Sequence, residues 1–304
     1  MNERIPIVLK TDGDRAYAEA LAAHLKTTLL DATPEASIWL SVDAAGLSLT
    51  DGDQAMRGDF TKLQKRLQYH NLTHELLVKA TKVKGREKLR VIDATAGMGE
   101  DSLLLAAAGC EVTLFEQDPV IAALLQDTMR RALEEAALHE IVMRMQLVEG
   151  DSIDHLRKFG EATTGSDTQE DDAGHACSTL TASAVTRNGA DATASGAEVT
   201  TTDAEATTSG ADTALKRPDV IYLDPMFPER QKSGLVKKKF QLIHYLEAPA
   251  ENEEALMQAA IAARPFKIVV KRPAKGPYLA GLKPSYSLDG KAIRYDCYVF
   301  PENT

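Results

Sequence analysis

The chain has 304 residues, 44% of them hydrophobic, a formal net charge of −10 and three cysteines. That length supports one sizeable core plus a smaller unit, and no run of 18 apolar residues is present to read as a membrane span. Met1-Asn2-Glu3-Arg4 lacks the charged-then-apolar pattern of a secretory signal, and Cys110, Cys177 and Cys297 show neither metal nor redox spacing, so reduced thiols and a cytoplasmic location are expected.

Residues 1–56 read as a small α/β unit: a strand at Ile5–Leu9, an Ala/Leu-rich helix over Asp14–Leu29, and a hairpin of Ser37–Val42 with Gly46–Leu49. Residues 57–304 read as the main domain. It opens with Phe60–Lys82, where Leu63, Leu67, Leu72, Leu76 and Leu77 alternate with bases, which predicts a helix with one packed face and one basic face.

Strands and helices then alternate. Val91–Asp93 predicts a strand, and a glycine-containing turn leads into a helix that runs to Ala108 and is closed by Gly109. Glu111–Phe115 predicts the next strand, with Pro119 in the first turn of a helix over Val120–Leu138. Met145–Glu149 is a third strand, followed by a helix over Ile153–Phe159. Residues 161–217 are rich in Thr, Ala, Ser, Gly and Asp and nearly repetitive, which predicts a disordered acidic insertion in a surface loop. Asp219–Leu223 is a fourth strand, and a helix around Glu251–Ala263, a fifth strand at Lys267–Lys271 and a strand pair near Ser285–Leu288 and Tyr295–Phe300 complete the chain. The expected fold class is α/β, a parallel sheet with an antiparallel end, as in the Rossmann-like class I methyltransferase fold.

Charge is unevenly placed along this frame. Residues 161–215 hold ten acids against Arg187 alone, so the remainder sums to about −1, while residues 57–90 hold ten Lys/Arg against three acids and 264–294 hold eight against one. The folded part is therefore expected to present basic surfaces of the sort that attract phosphate backbones.

The stretch Asp93-Ala-Thr-Ala-Gly-Met-Gly-Glu-Asp101 sits between a strand and a helix, where Gly97 and Gly99 let backbone approach a ligand without an intervening Cβ. A G-x-G of this type fits a dinucleotide or S-adenosylmethionine. Ser102 in place of a third glycine, and Asp93 before the turn, favour the methyl donor. Acids recur at strand ends: Asp93 to order the turn or meet the methionine part, Glu116 to accept from ribose hydroxyls, and Asp151 or Ser152 to meet the adenine amino group.

Ile221-Tyr-Leu-Asp-Pro-Met-Phe-Pro228 carries the second half of the chemistry. An amino group on a base ring is a poor nucleophile because its lone pair is delocalised. A site that methylates it needs an acceptor for the N–H groups and an aromatic face for the ring. Asp224 and Phe227 supply these, and Pro225 stiffens the turn. Arg230, Lys232, Lys237, Lys238 and Lys239 follow at once, and Lys271-Arg272-Pro273 ends the fifth strand on the same edge; both groups are expected to contact a nucleic-acid backbone.

These motifs, together with Gln231-Lys-Ser-Gly-Leu-Val-Lys-Lys238 and Val269-Val-Lys-Arg-Pro273, resemble the bacterial small-subunit ribosomal RNA guanine-N2 methyltransferases, which modify a guanine in the 3′-terminal hairpin loop of 16S RNA. The resemblance covers residues 57–160 and 218–300. It implies methyl transfer from S-adenosylmethionine to the exocyclic 2-amino group of guanine, with 16S ribosomal RNA or the small ribosomal subunit as partner and no metal. The cofactor contacts it implies are Glu100, Asp101, Glu116, Gln117, Asp151, Ser152 and Asp224. Thr95 stands where the wider methyltransferase pattern has its first glycine, Met226 replaces the middle proline of an Asp-Pro-Pro-Phe type motif, and Glu100 is acidic where other members carry a base. The same chemistry on adenine, cytosine or a glutamine side chain, and a non-catalytic RNA-binding assembly factor, are the rival readings. The methyl-transfer reading requires the turn at 224–228 to open beside the glycine bend at 97–99.

Overall fold

The computed structural model describes residues 5–164, 217–225 and 252–301. The N-terminal segment builds a five-stranded sheet from β1 (Ile7–Leu9), β2 (Leu29–Leu30), β3 (Trp39–Asp43), β4 (Gly46–Thr50) and β5 (Ala55–Met56), in the order β2-β1-β3-β4-β5. The first helix, α1 (Arg15–His24), is capped by Asp14, whose carboxylate accepts from the Tyr17 N–H. It stops at His24 rather than reaching Leu29, because Leu29–Leu30 pairs in parallel with β1. The expected hairpin is β3 with β4.

The segment expected as one helix over Phe60–Lys82 is instead a 3-10 turn at Phe60–Leu63, then α2 (Gln64–Leu67), α3 (Tyr69–Leu72) and α4 (Leu76–Thr81). The chain leaves helical geometry at Gln68 (ψ 135°) and again at Glu75 (ψ 126°). These breaks let the leucines reach different surfaces: Leu67 and Leu72 pack with Leu104, while Leu77 joins the main core. A single straight helix would present them along one stripe.

The main sheet has seven strands: β6 (Arg90–Asp93), β7 (Glu111–Glu116), β8 (Met145–Glu149), β9 (Val220–Leu223), β10 (Lys267–Pro273), β11 (Tyr286–Asp289) and β12 (Ile293–Val299), in the order β11-β12-β10-β9-β6-β7-β8. All neighbours pair in parallel except those of β12, which runs antiparallel to both β10 and β11. The helices are α5 (Glu100–Ala107), α6 (Pro119–Leu133), α7 (His139–Val142), α8 (Ser152–Thr164) and α9 (Glu253–Ala262). Pro119 occupies the first turn of α6, and Asp118 caps it by accepting from Val120 and Ile121. The helix expected to reach Leu138 ends at Leu133, and α7 follows as a separate turn.

Alternation along the central strands fills both faces of this sheet. Val91, Tyr222 and Val269 enter one core with Leu103, Leu105 and Leu114, whereas Ile92, Ile221, Leu223, Ile268 and Val270 enter the other with Leu156, Leu256 and Met257. A sheet covered on both sides is the condition for an all-parallel centre. The N-terminal sheet packs its inner face on α6, where Ile7, Leu40, Leu47 and Leu49 meet Ile121, Ala123 and Leu124. A buried ion cluster reinforces that contact: Asp127 accepts from the Leu47 N–H (3.0 Å) and is paired with Arg130 and Arg131.

The acidic stretch expected as a loop insertion lies outside the described residues from 165 to 216, as do Met226, Phe227, Arg230, Lys232, Lys237 and Lys238. No helix among the described residues is long and apolar enough to cross a membrane.

Candidate active site

Sheet order reverses between β6 and β9: the chain passes from β6 outward through β7 and β8, then returns to lay β9 on the other side of β6. Such a reversal leaves a crevice outside the carboxyl ends of the two strands, where open α/β sheets bind ligands. Asp93 on β6 pairs with Tyr222 on β9, so the glycine bend and the Asp224 turn emerge side by side. The Asp224 N–H donates to Thr95 Oγ1 at 2.7 Å, and the Ala94 N–H donates to the Tyr222 carbonyl at 3.0 Å.

The bend itself has left-handed backbone at both glycines, φ +51° at Gly97 and +74° at Gly99. A Cβ on Gly97 would meet nothing within 4 Å among the described residues, whereas one on Gly99 would lie 2.6 Å from Leu125 Cδ1. Gly97 is thus placed for approach to a ligand, and Gly99 for close packing beneath the helix. Gly99 starts α5 without a side-chain cap, which leaves its first-turn N–H groups directed out of the helix end.

Carboxylates surround this bend. Asp93 is buried, accepting from the Thr95 N–H (3.1 Å) and from Ser102 Oγ (2.6 Å), and burial pushes its carboxyl up to about 7 against those two bonds. Its role is to hold the turn. Ser102, where a dinucleotide site would have a glycine, supplies the hydroxyl that makes this possible. Glu116 accepts from the Gly97 N–H and the Asp118 N–H, both at 2.9 Å. Burial raises its carboxyl, and the same two bonds oppose the rise. Two backbone donors occupy about half of a carboxylate's acceptor capacity, which leaves lone pairs for further donors. Gln117 is exposed beside it. Asp151 is exposed and accepts from the Ile153 N–H at the start of α8, while Ser152 is buried there. Glu100 is exposed in the first turn of α5.

Lys271 binds the two halves together. Its Nζ lies 2.8 Å from Asp101 Oδ2 and 2.8 Å from Asp224 Oδ2, and Tyr222 Oη donates to the same Asp101 oxygen at 2.6 Å. Burial alone would lower the ammonium, but the two carboxylates outweigh it and raise it. Burial raises the Asp224 carboxyl, and Lys271 opposes that rise. The result is a half-buried carboxylate with one oxygen held by a cation and the other without a partner among the described residues, on the rim of the glycine bend. Pro225 follows, buried.

Sequence reading places Lys271 and Arg272 among the RNA-facing bases, and the structure turns both inward. The cause for Lys271 is strand register: Val270 pairs with Leu223, so the next residue along β10 comes beside Asp224. Arg272, 1% exposed, donates from Nε to the Pro277 carbonyl and from Nη1 to Glu253. It is committed to the fold on the opposite face of the strand. Tyr222 joins the site through its bond to Asp101, and period-two alternation along β9 puts it on the same side as Asp224. Among the described residues, no group of His, Cys, Asp and Glu is arranged to hold a metal ion.

Comparison with known proteins agrees with this geometry. Residues 23–167 and 175–300 match the family described as putative SAM-dependent methyltransferases. A relative from Thioalkalivibrio sulfidiphilus, named ribosomal RNA small subunit methyltransferase J, is 35% identical over 97% of this chain and 98% of its own. One of the same name from Pseudomonas fluorescens is 34% identical over 97% and 94%. The crystal structure of a SAM-dependent methyltransferase from Neisseria gonorrhoeae aligns with a TM-score of 0.65 at 25% identity, covering 97% of this chain and 95% of that one. The glycine bend, the uncapped start of α5 and the Glu116 carboxylate fit S-adenosylmethionine, which is the cofactor of this fold. The chain belongs to the S-adenosylmethionine-dependent methyltransferase family that includes the ribosomal RNA small subunit methyltransferases J.

Proposed function

We propose that the protein methylates the exocyclic N2 amine of a guanine in 16S ribosomal RNA, in the small subunit or its precursor. The observation that carries this reading is the position of Asp224: one oxygen held by Lys271, its N–H tied to Thr95, beside the cofactor bend. The relatives' name supports ribosomal RNA as the acceptor.

S-adenosylmethionine supplies an electrophilic methyl carbon on a sulfonium that departs as a neutral thioether. Asp224 accepts a hydrogen bond from the target amine, so the nitrogen lone pair is turned toward that carbon. Lys271 fixes the carboxylate and opposes the rise that burial imposes on it. Glu116 and Asp93 hold the ribose side and the turn, and Phe227, the ring expected from the sequence to hold the base, lies outside the described residues. The amine's proton leaves to Asp224 or to water after transfer. Catalysis of this kind comes from positioning, which in well-oriented systems is worth roughly 7–11 kcal/mol.

The test is transfer from labelled S-adenosylmethionine into small subunits isolated from cells lacking the enzyme, with nucleoside mass spectrometry of the product. One N2-methylguanosine is expected. A methylated adenine, cytosine or protein glutamine would reassign the acceptor, and calorimetry without any S-adenosylmethionine binding would point to an assembly factor.

A further inference from the structure

We infer that the broken helical segment at residues 64–74 is a docking surface for single-stranded ribosomal RNA, with Tyr69 as a stacking platform for a nucleotide flanking the target. The inference rests on the ribosomal RNA reading above and adds a surface to it.

The segment's own geometry is the first argument. Of the large hydrophobic side chains among the described residues, Tyr69 is the most exposed, at 83%. The break at Gln68 sets it there: Leu67 on α2 and Leu72 on α3 pack on Leu104 of α5, while Tyr69 begins the new helix facing water. The arrangement is braced, since Asn71 Nδ2 donates to the Lys65 carbonyl at 2.6 Å and the Leu72 N–H donates to the Gln68 carbonyl at 2.8 Å. A solvated aromatic ring on a braced turn loses little conformational freedom when a base stacks on it.

Charge is the second argument, and the structure sorts the bases that sequence only counts. Arg57, Arg66, Arg86 and Arg90 are paired with Asp43, Glu75, Asp219 and Asp219, and Lys62 with Asp59. Lys65, Lys79, Lys82, Lys84 and Lys88 are exposed and have no carboxylate partner among the described residues. Lys65 belongs to the braced segment that carries Tyr69, and an ammonium and an exposed ring on one segment suit a phosphate backbone with unstacked bases.

Location is the third. Leu67 and Leu72 rest on α5, the helix whose first turn carries Glu100 and Asp101. The charges of Glu100 and Asp101 add to that of Glu75 in raising the Arg66 guanidinium. The surface therefore adjoins the site on the α5 side.

The experiment compares full-length wild type with Tyr69→Ala, Tyr69→Phe and Lys65→Gln. Binding to transcribed small-subunit ribosomal RNA and to isolated subunits is read by fluorescence anisotropy over a salt series, alongside methyl transfer and S-adenosylmethionine affinity. Tyr69→Ala is expected to weaken RNA binding and raise KM for the subunit about tenfold, with kcat and cofactor affinity unchanged; Tyr69→Phe keeps the ring and restores both. Lys65→Gln is expected to reduce the salt slope by about 0.7. Unchanged RNA affinity in Tyr69→Ala overturns the docking surface while leaving the methyltransferase reading intact. Loss of subunit binding with unchanged affinity for bare RNA also overturns it, by assigning the surface to a ribosomal protein. A wild-type protein that binds RNA normally through Tyr69 but transfers no methyl would sink the proposed function and not this surface.

Discussion

The backbone N–H of Asp224 donates to Thr95 Oγ1 at 2.7 Å, although the two residues are 129 positions apart in the chain. That bond joins the carboxyl ends of β9 and β6 at the point where the sheet order reverses, so the Asp224 turn and the glycine bend share one anchor. The position that departs from the wider glycine pattern is the one whose hydroxyl makes the link.

Thr95→Val keeps the shape and removes the acceptor, leaving the Asp224 N–H without its partner. An unmet N–H of this kind costs about 1–3 kcal/mol. Methyl transfer should fall roughly 10- to 100-fold by single-turnover measurement, with S-adenosylmethionine affinity within about threefold. A rate within twofold of wild type would remove Thr95 from the positioning of Asp224.

Asp224→Ala should abolish transfer even at saturating S-adenosylmethionine, with thermal stability near wild type because the backbone link to Thr95 survives. Near-normal turnover would remove the carboxylate from the mechanism.

Lys271→Met should act through pH. Burial raises Asp224 above the ordinary aspartate value and Lys271 opposes the rise. Without the ammonium, burial and the neighbouring Asp101 charge raise the Asp224 carboxyl unopposed by Lys271. The acid limb of the kcat/KM profile should move to higher pH than in wild type, so that activity lost on the acid side is regained as pH rises. The salt dependence of RNA binding should stay as in wild type. A lowered salt slope with an unmoved limb would return Lys271 to the phosphate contacts.

Asp93→Asn tests the buried carboxyl that holds the turn. Its folded value of about 7 lies above the ordinary 3.8, so between those values the folded state holds a proton that the unfolded chain has released. Its contribution is complete below about pH 4 and is lost as pH rises through about 7, with an upper bound of roughly 4 kcal/mol. The amide can accept from Thr95 and donate to Ser102, so thermal unfolding of Asp93→Asn should lose this falling component between pH 4 and 7. An identical pH dependence in both proteins would place the carboxyl at an ordinary value.

Much of this protein is local in origin. Apolar runs of strand length, Asp118-Pro119 at a helix start, and two glycines after a strand are constraints on neighbouring residues, so β6 to β10 and the bend between β6 and α5 are legible from the chain itself. The pattern of strand, helix and strand-end acid also implies where a ligand sits. What the sequence by itself could not determine is which polar groups meet. Lys271 and Asp101 are 170 positions apart, and only the parallel register of β10 on β9, and of β9 on β6, brings the ammonium between two carboxylates. By the same logic adjacent residues part company: Lys271 points to the site while Arg272 points to Glu253, because side chains alternate across a strand. The break at Gln68 is likewise tertiary, since helical spacing of leucines favours one continuous helix until Leu67 and Leu72 are drawn onto α5 and Leu77 onto the sheet. Local chemistry chose the elements; long-range pairing, which aligns strand ends, built the site.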